Sequence, residues 1–249
     1  IEMSNNEVTV TGYVLRTIPY KDSDAIVTVL TNETGLLTFK ARGFFKSTSK
    51  HAASTQLYTL GEYQLLHTKK TDQYILKSAV LLQTLPVLFR DLRASMLLAF
   101  LAESILRIED YQPPVAYAMM QGIFRHLLTQ DNYLTAILII LKMNLLNLGL
   151  MLEASCCVHC GVKRGIVSVS YDYGGFLCQR CATDLHAKTK SETYMHSFRY
   201  IMLATTDHLD NYVIDETIGK QLLKDLIVFF ENNGGIRLKS LLLITDYYK

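Results

Sequence analysis

Four cysteines constrain this chain more than any other feature. They stand as Cys157-Val158-His159-Cys160-Gly161 and Cys178-Gln179-Arg180-Cys181, the pattern C-x2-C-x17-C-x2-C. Two residues between paired cysteines put both sulfurs on one tight turn, with backbone N–H groups aimed at them. Gly161 lets the backbone turn just after the first pair. Two such turns close a tetrahedral shell of four thiolates, which suits Zn2+. The expected ligands are Cys157, Cys160, Cys178 and Cys181, holding one structural zinc. Four thiolates leave no open position for water or substrate. A zinc deaminase would need an H-x-E element and a P-C-x-x-C. The chain has no H-x-E, and Gly175-Phe176-Leu177 precedes Cys178. The spacer alternates through Ile166-Val167-Ser168-Val169-Ser170-Tyr171 and turns at Asp172-Tyr173-Gly174-Gly175, which predicts a small hairpin. Two disulfides of a secreted protein, or a redox pair, are the other readings. They fit less well, because no export signal is read and the C-x-x-C pairs lie outside any βαβ pattern. Cys156 reads as a spectator thiol, and His159 is an alternative ligand inside the first turn.

The chain has 249 residues, 49% hydrophobic and 19% charged, so it can bury a sizeable core. A net charge of +2 is too small to draw nucleic acid by itself, so any such site must be a local patch. The apolar run 133–152 is interrupted by Lys142, Asn144 and Asn147 and reads as a buried helix rather than a membrane span. Unexported cysteines imply a reducing cytoplasm.

Residues 7–83 read as β structure. Runs rich in β-branched and aromatic residues begin near Val8, Ala25, Leu36, Leu57 and Gln73, with turn signals between them. Five strands in about 80 residues suggest a small barrel or sandwich. Between Gly35 and Leu60 there is no acidic residue, while Lys40, Arg42, Lys46 and Lys50 are basic and Phe44 and Phe45 sit among them. Alternation in the third strand predicts Lys40 and Arg42 on one face. Cations with interleaved aromatics suit single-stranded nucleic acid. The competing reading is an edge strand guarded by lysines, with both phenylalanines turned inward.

From Pro86 the period changes to that of helices. Predicted segments run over 86–108, 115–128, 133–151, 192–206 and 215–232, with Gln130-Asp131-Asn132 as the cap of the third. The third is apolar nearly all round and reads as a central core helix. The expectation is an α+β chain: a barrel at 1–83, then an all-helical domain at 84–249 with the cysteine module inserted at 154–183.

Three function classes remain open on these residues. Nucleic-acid binding rests on the basic face. An enzyme finds little support: GxxxxGK[ST], H-E-x-x-H and G-x-S-x-G are all absent, and the seven histidines are scattered. A protein-binding scaffold would use an apolar groove of the helical part near basic residues, with Arg90, Arg93 or Arg125 as partners for a terminal carboxylate.

Taken together, the chain resembles the RecO family of bacterial recombination mediators. The resemblance is carried by Gly12-Tyr13-Val14-Leu15-Arg16, Tyr20-Lys21-Asp22-Ser23-Asp24, Val27-Thr28-Val29-Leu30-Thr31, Glu33-Thr34-Gly35-Leu36 and Ala41-Arg42-Gly43-Phe44-Phe45-Lys46-Ser47. It continues through the two cysteine pairs and Gly174-Gly175-Phe176. It implies an N-terminal OB-fold and a helical C-terminal domain with a zinc finger. It implies binding to single- and double-stranded DNA, annealing of complementary strands, and no catalysis. The implied partners are RecR and the C-terminal tail of single-stranded DNA-binding protein, with RecA loaded in the RecF pathway. The implied DNA surface is Lys40, Arg42, Lys46 and Lys50, with Arg16 and Lys21 nearby. The loop after the third strand carries fewer basic residues here than is usual in the family. An RNA-binding factor of translation or transcription, built from an OB-fold and a zinc ribbon, is the rival.

Overall fold

The computed structural model describes residues 6–46, 52–69, 71–108, 111–129 and 132–248. The chain forms two compact units. One holds Ile1–Leu98 and Ile105–Leu128, the other Ala99–Ser104 and Thr129–Lys249.

The first unit is built on a closed barrel of five strands, β1 (Asn6–Tyr20), β2 (Asp24–Thr31), β3 (Gly35–Ala41), β4 (Leu60–Thr68) and β5 (Gln73–Gln83). The order is β1-β2-β3-β5-β4, closed by β1 against β4. This is an OB-like barrel. β1 serves two neighbours because it is 15 residues long. Gly12 sits where it passes between them, opposite both Gly61 of β4 and Thr31 of β2. A Cβ at Gly12 would lie 2.7 Å from the Leu30 carbonyl oxygen, so only glycine lets the strands approach here. Inward residues fill the barrel with Val14, Ala25, Val27, Val29, Leu37, Phe39, Tyr63 and Leu65. The buried Tyr63 hydroxyl donates to the Ser54 carbonyl at 2.8 Å, which satisfies its one polar atom.

Residues 86–108 are not one helix. Pro86–Phe89 is a single 3-10 turn, and α1 runs over Leu92–Arg107. Helix α2 (Pro113–Thr129) belongs to the barrel unit. Its Phe124 and Tyr117 rings lie 4.6 and 5.3 Å from the ring of Tyr13 in β1.

The second unit is organised on α3 (Tyr133–Asn147), buried from Tyr133 to Leu145 as its all-round apolarity predicts. The helix stops four residues short of 151; the chain then turns at Gly149, which has φ +71°. Of the predicted cap, Gln130 and Asp131 lie outside the described residues. The Asn132 side chain makes no cap bond and donates instead to the Tyr212 carbonyl at 3.2 Å. The polar residues that break the apolar run are satisfied inside the core. Lys142 Nζ donates to the Ala204 carbonyl at 2.9 Å and Asn144 Nδ2 to Ser104 Oγ at 2.8 Å.

Around α3 pack α5 (Glu192–Leu203), shorter than expected, and α6 (Glu216–Asn233). They are capped by Ser191 and Asp215, whose side chains accept from Tyr194 N and Ile218 N. The tail forms α7 (Lys239–Tyr247). The Glu103 carboxylate accepts the Lys239 and Ser240 amides at 2.9 and 2.7 Å at its start. Among the described residues no helix is long and apolar enough to cross a membrane.

Candidate metal centre and nucleic-acid interface

The cysteine module is assembled by a hairpin and one short helix. β6 (Ile166–Ser170) pairs antiparallel with β7 (Gly175–Cys178), as the alternation predicts, and α4 (Gln179–Asp184) follows directly. The first cysteine turn is closed by Gly161 N–H donating to the Cys157 carbonyl at 2.8 Å, with Gly161 at φ +76°. The second pair sits at the junction of β7 and α4, with Cys178 as N-cap residue. The two are bound together: Val158 N–H donates to the Phe176 carbonyl, and Gln179 N–H to the Gly165 carbonyl. The backbone of Glu153 brackets Gly175, accepting from Phe176 N and donating to Gly174 O. A Cβ at Gly175 would collide with the Glu153 backbone, so the approach requires glycine.

The four sulfurs of Cys157, Cys160, Cys178 and Cys181 lie within 4.8 Å of one another. Cys160 and Cys178 are 3.6 Å apart, far beyond a covalent bond, and all five cysteines are free. In a tetrahedral shell with metal–sulfur bonds of ~2.3 Å, each sulfur–sulfur edge is ~3.8 Å. The cluster therefore fits an S4 metal site. The acidities within the cluster diverge. Burial pushes the Cys157 thiol up, but backbone N–H groups of Cys178, Cys160 and His159 outweigh it and bring the group down to about 6. Cys181 is pushed up to about 12, first by burial and then by the neighbouring sulfurs. Four sulfurs this close, three of them buried, form a donor set for a single cation. Cys156 stands outside the cluster. His159 Nδ1 lies 3.6 Å from Cys181 Sγ, a neighbour of the sulfur shell rather than part of it.

The barrel face positions the basic residues. Alternation places Arg16, Ile18 and Tyr20 of β1 outward, in register with Thr28, Ile26 and Asp24 of β2; Thr28 and Ile26 lie opposite Thr38 and Lys40 of β3. At one end of this face two turns are tied together. Phe45 N–H donates to the Ser23 carbonyl at 3.0 Å, and Gly43 N–H donates to Asp24 at 2.9 Å. Lys21, Lys40, Arg42 and Lys46 thus gather at one end of the barrel.

They are not equivalent. Lys21, Arg42 and Lys46 are exposed, as is Arg16 further along β1. β3 ends at Ala41, so Arg42 stands in the following turn rather than on the strand. Lys40 is half-covered and its ammonium is 2.9 Å from the Asp24 carboxylate. Lys50 lies outside the described residues. Phe44 packs against the barrel core, while Phe45 is 52% exposed. One phenylalanine therefore follows each of the two readings.

Sequence reasoning missed two aromatic residues here. Tyr20, Ile26, Thr38, Lys40, Asp72 and Tyr74 line a cleft of about 380 Å3 on the same face. It is bounded by β2, β3 and the turns after β1 and before β5, which is where OB-folds take their ligands. Lys40 Nζ stands 4.9 Å from the centre of the Tyr20 ring, and Lys21 Nζ 5.5 Å. Tyr20 sits in the resemblance as part of Tyr20-Lys21-Asp22-Ser23-Asp24, but nothing local marks Tyr74, which is 54 residues away. Of the arginines considered for a scaffold role, Arg93 is held by Asp91 at 2.7 Å.

A closed OB-like barrel and a helical unit carrying a tetrathiol cluster define an OB-barrel protein with a metal-binding type of module. Comparison with known proteins narrows the class. The family model for the recombination protein O N terminal matches residues 3–85, and that for the recombination protein O C terminal matches residues 90–242. The chain belongs to the recombination protein O family. It is 28% identical over 236 residues to the DNA repair protein RecO of Bacillus subtilis, covering 92% of this chain and 90% of that protein. The protein of the same name from Listeria welshimeri is 27% identical over 243 residues, covering 96% and 94%. That of Bacillus pumilus is 27% identical over 236 residues.

Proposed function

We propose that this chain is a non-catalytic recombination mediator of bacterial DNA repair, acting in the cytoplasm at the nucleoid. It binds single- and double-stranded DNA and anneals complementary strands. With RecR, it helps RecA onto strands covered by single-stranded DNA-binding protein. The observation that carries the reading is the cationic end of the OB-like barrel, where Lys21, Arg42 and Lys46 stand exposed in two turns tied by hydrogen bonds. It stands within a family match that covers barrel and helical unit alike. Cations on one face neutralise phosphates and release counterions, which gives affinity without base readout. Annealing needs such binding, because base edges must stay free to pair.

The tetrathiol cluster holds one Zn2+ in this reading, with Cys157, Cys160, Cys178 and Cys181 as ligands. The metal would supply local folding free energy and no reaction. A second groove suits the acidic, apolar tail of single-stranded DNA-binding protein. It lies between α6 and α7, with a volume of about 550 Å3, and is lined by Leu223, Ile227 and Val228 beside Lys220 and Lys224. Apolar walls beside Lys224 and Lys220 suit such a peptide, although Glu231 also lines the groove and Lys220 pairs with Glu216 at 2.9 Å.

The test is annealing of two complementary oligonucleotides coated with single-stranded DNA-binding protein, at several salt concentrations. The expected result is salt-sensitive annealing by the wild type, with the double variant Arg42→Ala, Lys46→Ala flattening the salt slope of DNA binding by about 2. Absence of DNA binding by the folded wild type, or preferential binding of RNA over DNA of equal length, would overturn the reading.

A further inference from the structure

We infer that the cleft between α5 and the 3-10 turn Thr206–His208 is an anion site on the helical unit, and that it takes a backbone phosphate of a DNA strand. This contact lies outside the barrel, and its occupant rests on the DNA-binding reading above.

The cleft is small and its polar groups are of one kind. It has a volume of about 260 Å3 and is lined by His196, Arg199, Tyr200, Leu203, Ala204 and His208. Two imidazoles and a guanidinium supply nitrogen donors, and no carboxylate lines it. His196 and Arg199 stand one turn apart and exposed on α5, and His208 is exposed in the turn that follows. Arg199 forms no ion pair among the described residues, so its fork of N–H groups is open to a phosphate.

The rings are set in place before any ligand arrives. The Tyr200 hydroxyl donates to the His208 carbonyl at 2.6 Å. The Tyr212 ring lies 4.5 Å from that of Tyr200 and 5.6 Å from that of His196, and its hydroxyl is 3.0 Å from Ser197 Oγ. His208 Nδ1 accepts the Thr205 amide at 3.2 Å, which leaves the proton of the neutral ring on Nε2 as a donor. Groups fixed in this way lower the ordering cost of binding.

A separate observation points to an anion. Lys142 of α3 is buried, 5% exposed, and no carboxylate pairs with it among the described residues. Its ammonium is 2.9 Å from the carbonyl of Ala204, a residue of the cleft wall. A buried cation without a counterion is costly, and an anion in the cleft supplies one nearby. Size then narrows the choice. A volume of about 260 Å3 is below the usual range for enclosing a whole small-molecule ligand. It suits a phosphate with part of its sugar, the remainder of the strand lying outside.

The test has two arms. In the first, a single strand is titrated by fluorescence anisotropy at several salt concentrations. Arg199→Ala should flatten the salt slope by about 1. Combined with Arg42→Ala, Lys46→Ala it should flatten the slope by about 3, the sum for separate sites. Arg199→Lys keeps the charge and should keep the slope while losing affinity severalfold, because the fork is gone. An unchanged slope in Arg199→Ala would overturn the inference. The second arm reads the cleft itself. NMR resonances of the His196 and His208 rings, assigned with His196→Gln and His208→Gln, are followed as a short single strand or orthophosphate alone is added. Either anion should shift both rings in wild type and, at the same concentration, neither ring in Arg199→Ala. Arg42→Ala, Lys46→Ala should still show the shifts at a saturating strand concentration. Shifts with orthophosphate but not with the strand, or with neither, would overturn the inference and leave the DNA-binding reading standing. If wild type binds no DNA, both fail.

Discussion

Asp24 and Lys40 face each other across β2 and β3, carboxylate to ammonium at 2.9 Å, and the same carboxylate accepts the Gly43 amide. One acidic side chain thereby occupies the cation at the end of β3 and fastens the turn that carries Arg42. The pair sets two opposed effects against each other, a rigid turn and a reduced local charge.

The charge effect is open to measurement. Asp24→Asn keeps an acceptor for Gly43 and removes the countercharge of Lys40. DNA affinity of this variant should rise, with a salt slope steeper by about 1. Titrations at several salt concentrations check it; an unchanged slope would mean that Lys40 does not meet phosphate.

The structural effect appears on acidification. The Lys40 ammonium and the Gly43 amide hold the Asp24 carboxyl below the usual carboxylate range. A group with a depressed folded-state value lends stability above its unfolded value of about 3.9 and loses it as pH falls through the folded value. The barrel should therefore weaken as pH drops below about 4, and Asp24→Asn should weaken less steeply. Urea melts across this range give the comparison.

Burial pushes the Lys142 ammonium down from its ordinary value. The folded state then binds fewer protons than the unfolded state between the lowered value and about 10.4, so stability of the helical unit should rise with pH in that window. Lys142→Met should abolish the rise and add about 1 kcal/mol at neutral pH. Denaturant melts at neutral and alkaline pH provide the readout.

Tyr194 is buried, donates to Asp225 at 2.6 Å and is 2.8 Å from the Tyr171 hydroxyl, while Lys190 pairs with the same Asp225 at 3.0 Å. This network joins the hairpin end and the segment after α4 to α5 and α6. Tyr194→Phe leaves the Tyr171 hydroxyl and the carboxylate short of a partner and should cost about 1–3 kcal/mol, seen as a lower melting temperature of the helical unit.

Cys157→Ser and Cys178→Ser should each abolish stoichiometric zinc binding, and chelation of the wild type should do the same. Protease sensitivity should then appear between residues 154 and 190, with the barrel strands still protected, because metal binding is coupled to local folding. Metal analysis and mapped proteolysis on one sample check both halves.

Much of this molecule is local physics and was legible as such. The tetrathiol pattern, the alternation of β3, the hairpin between the cysteine pairs and the all-apolar α3 follow from spacing and period, because turn geometry and side-chain direction repeat over two to four residues. Period also gave the surface cations. It could not show that Tyr74 and Tyr20 line one cleft, because the parallel pairing of β3 with β5 is a long-range closure. Nor could it show that Asp24 occupies Lys40, that Phe44 turns inward while Phe45 does not, or that α2 packs its Phe124 on Tyr13 of the barrel. Those outcomes depend on which strand twists past which, and on what surface is left to cover. Spacing and period alone sufficed for the five strands, the cysteine hairpin, the buried α3 and the clustered sulfur donors, but not for the break within 86–108 or for α4 and α7. Only the tertiary structure decided which cations remain free and which aromatic rings share a cleft, since both are contacts between residues that chain closure brings together.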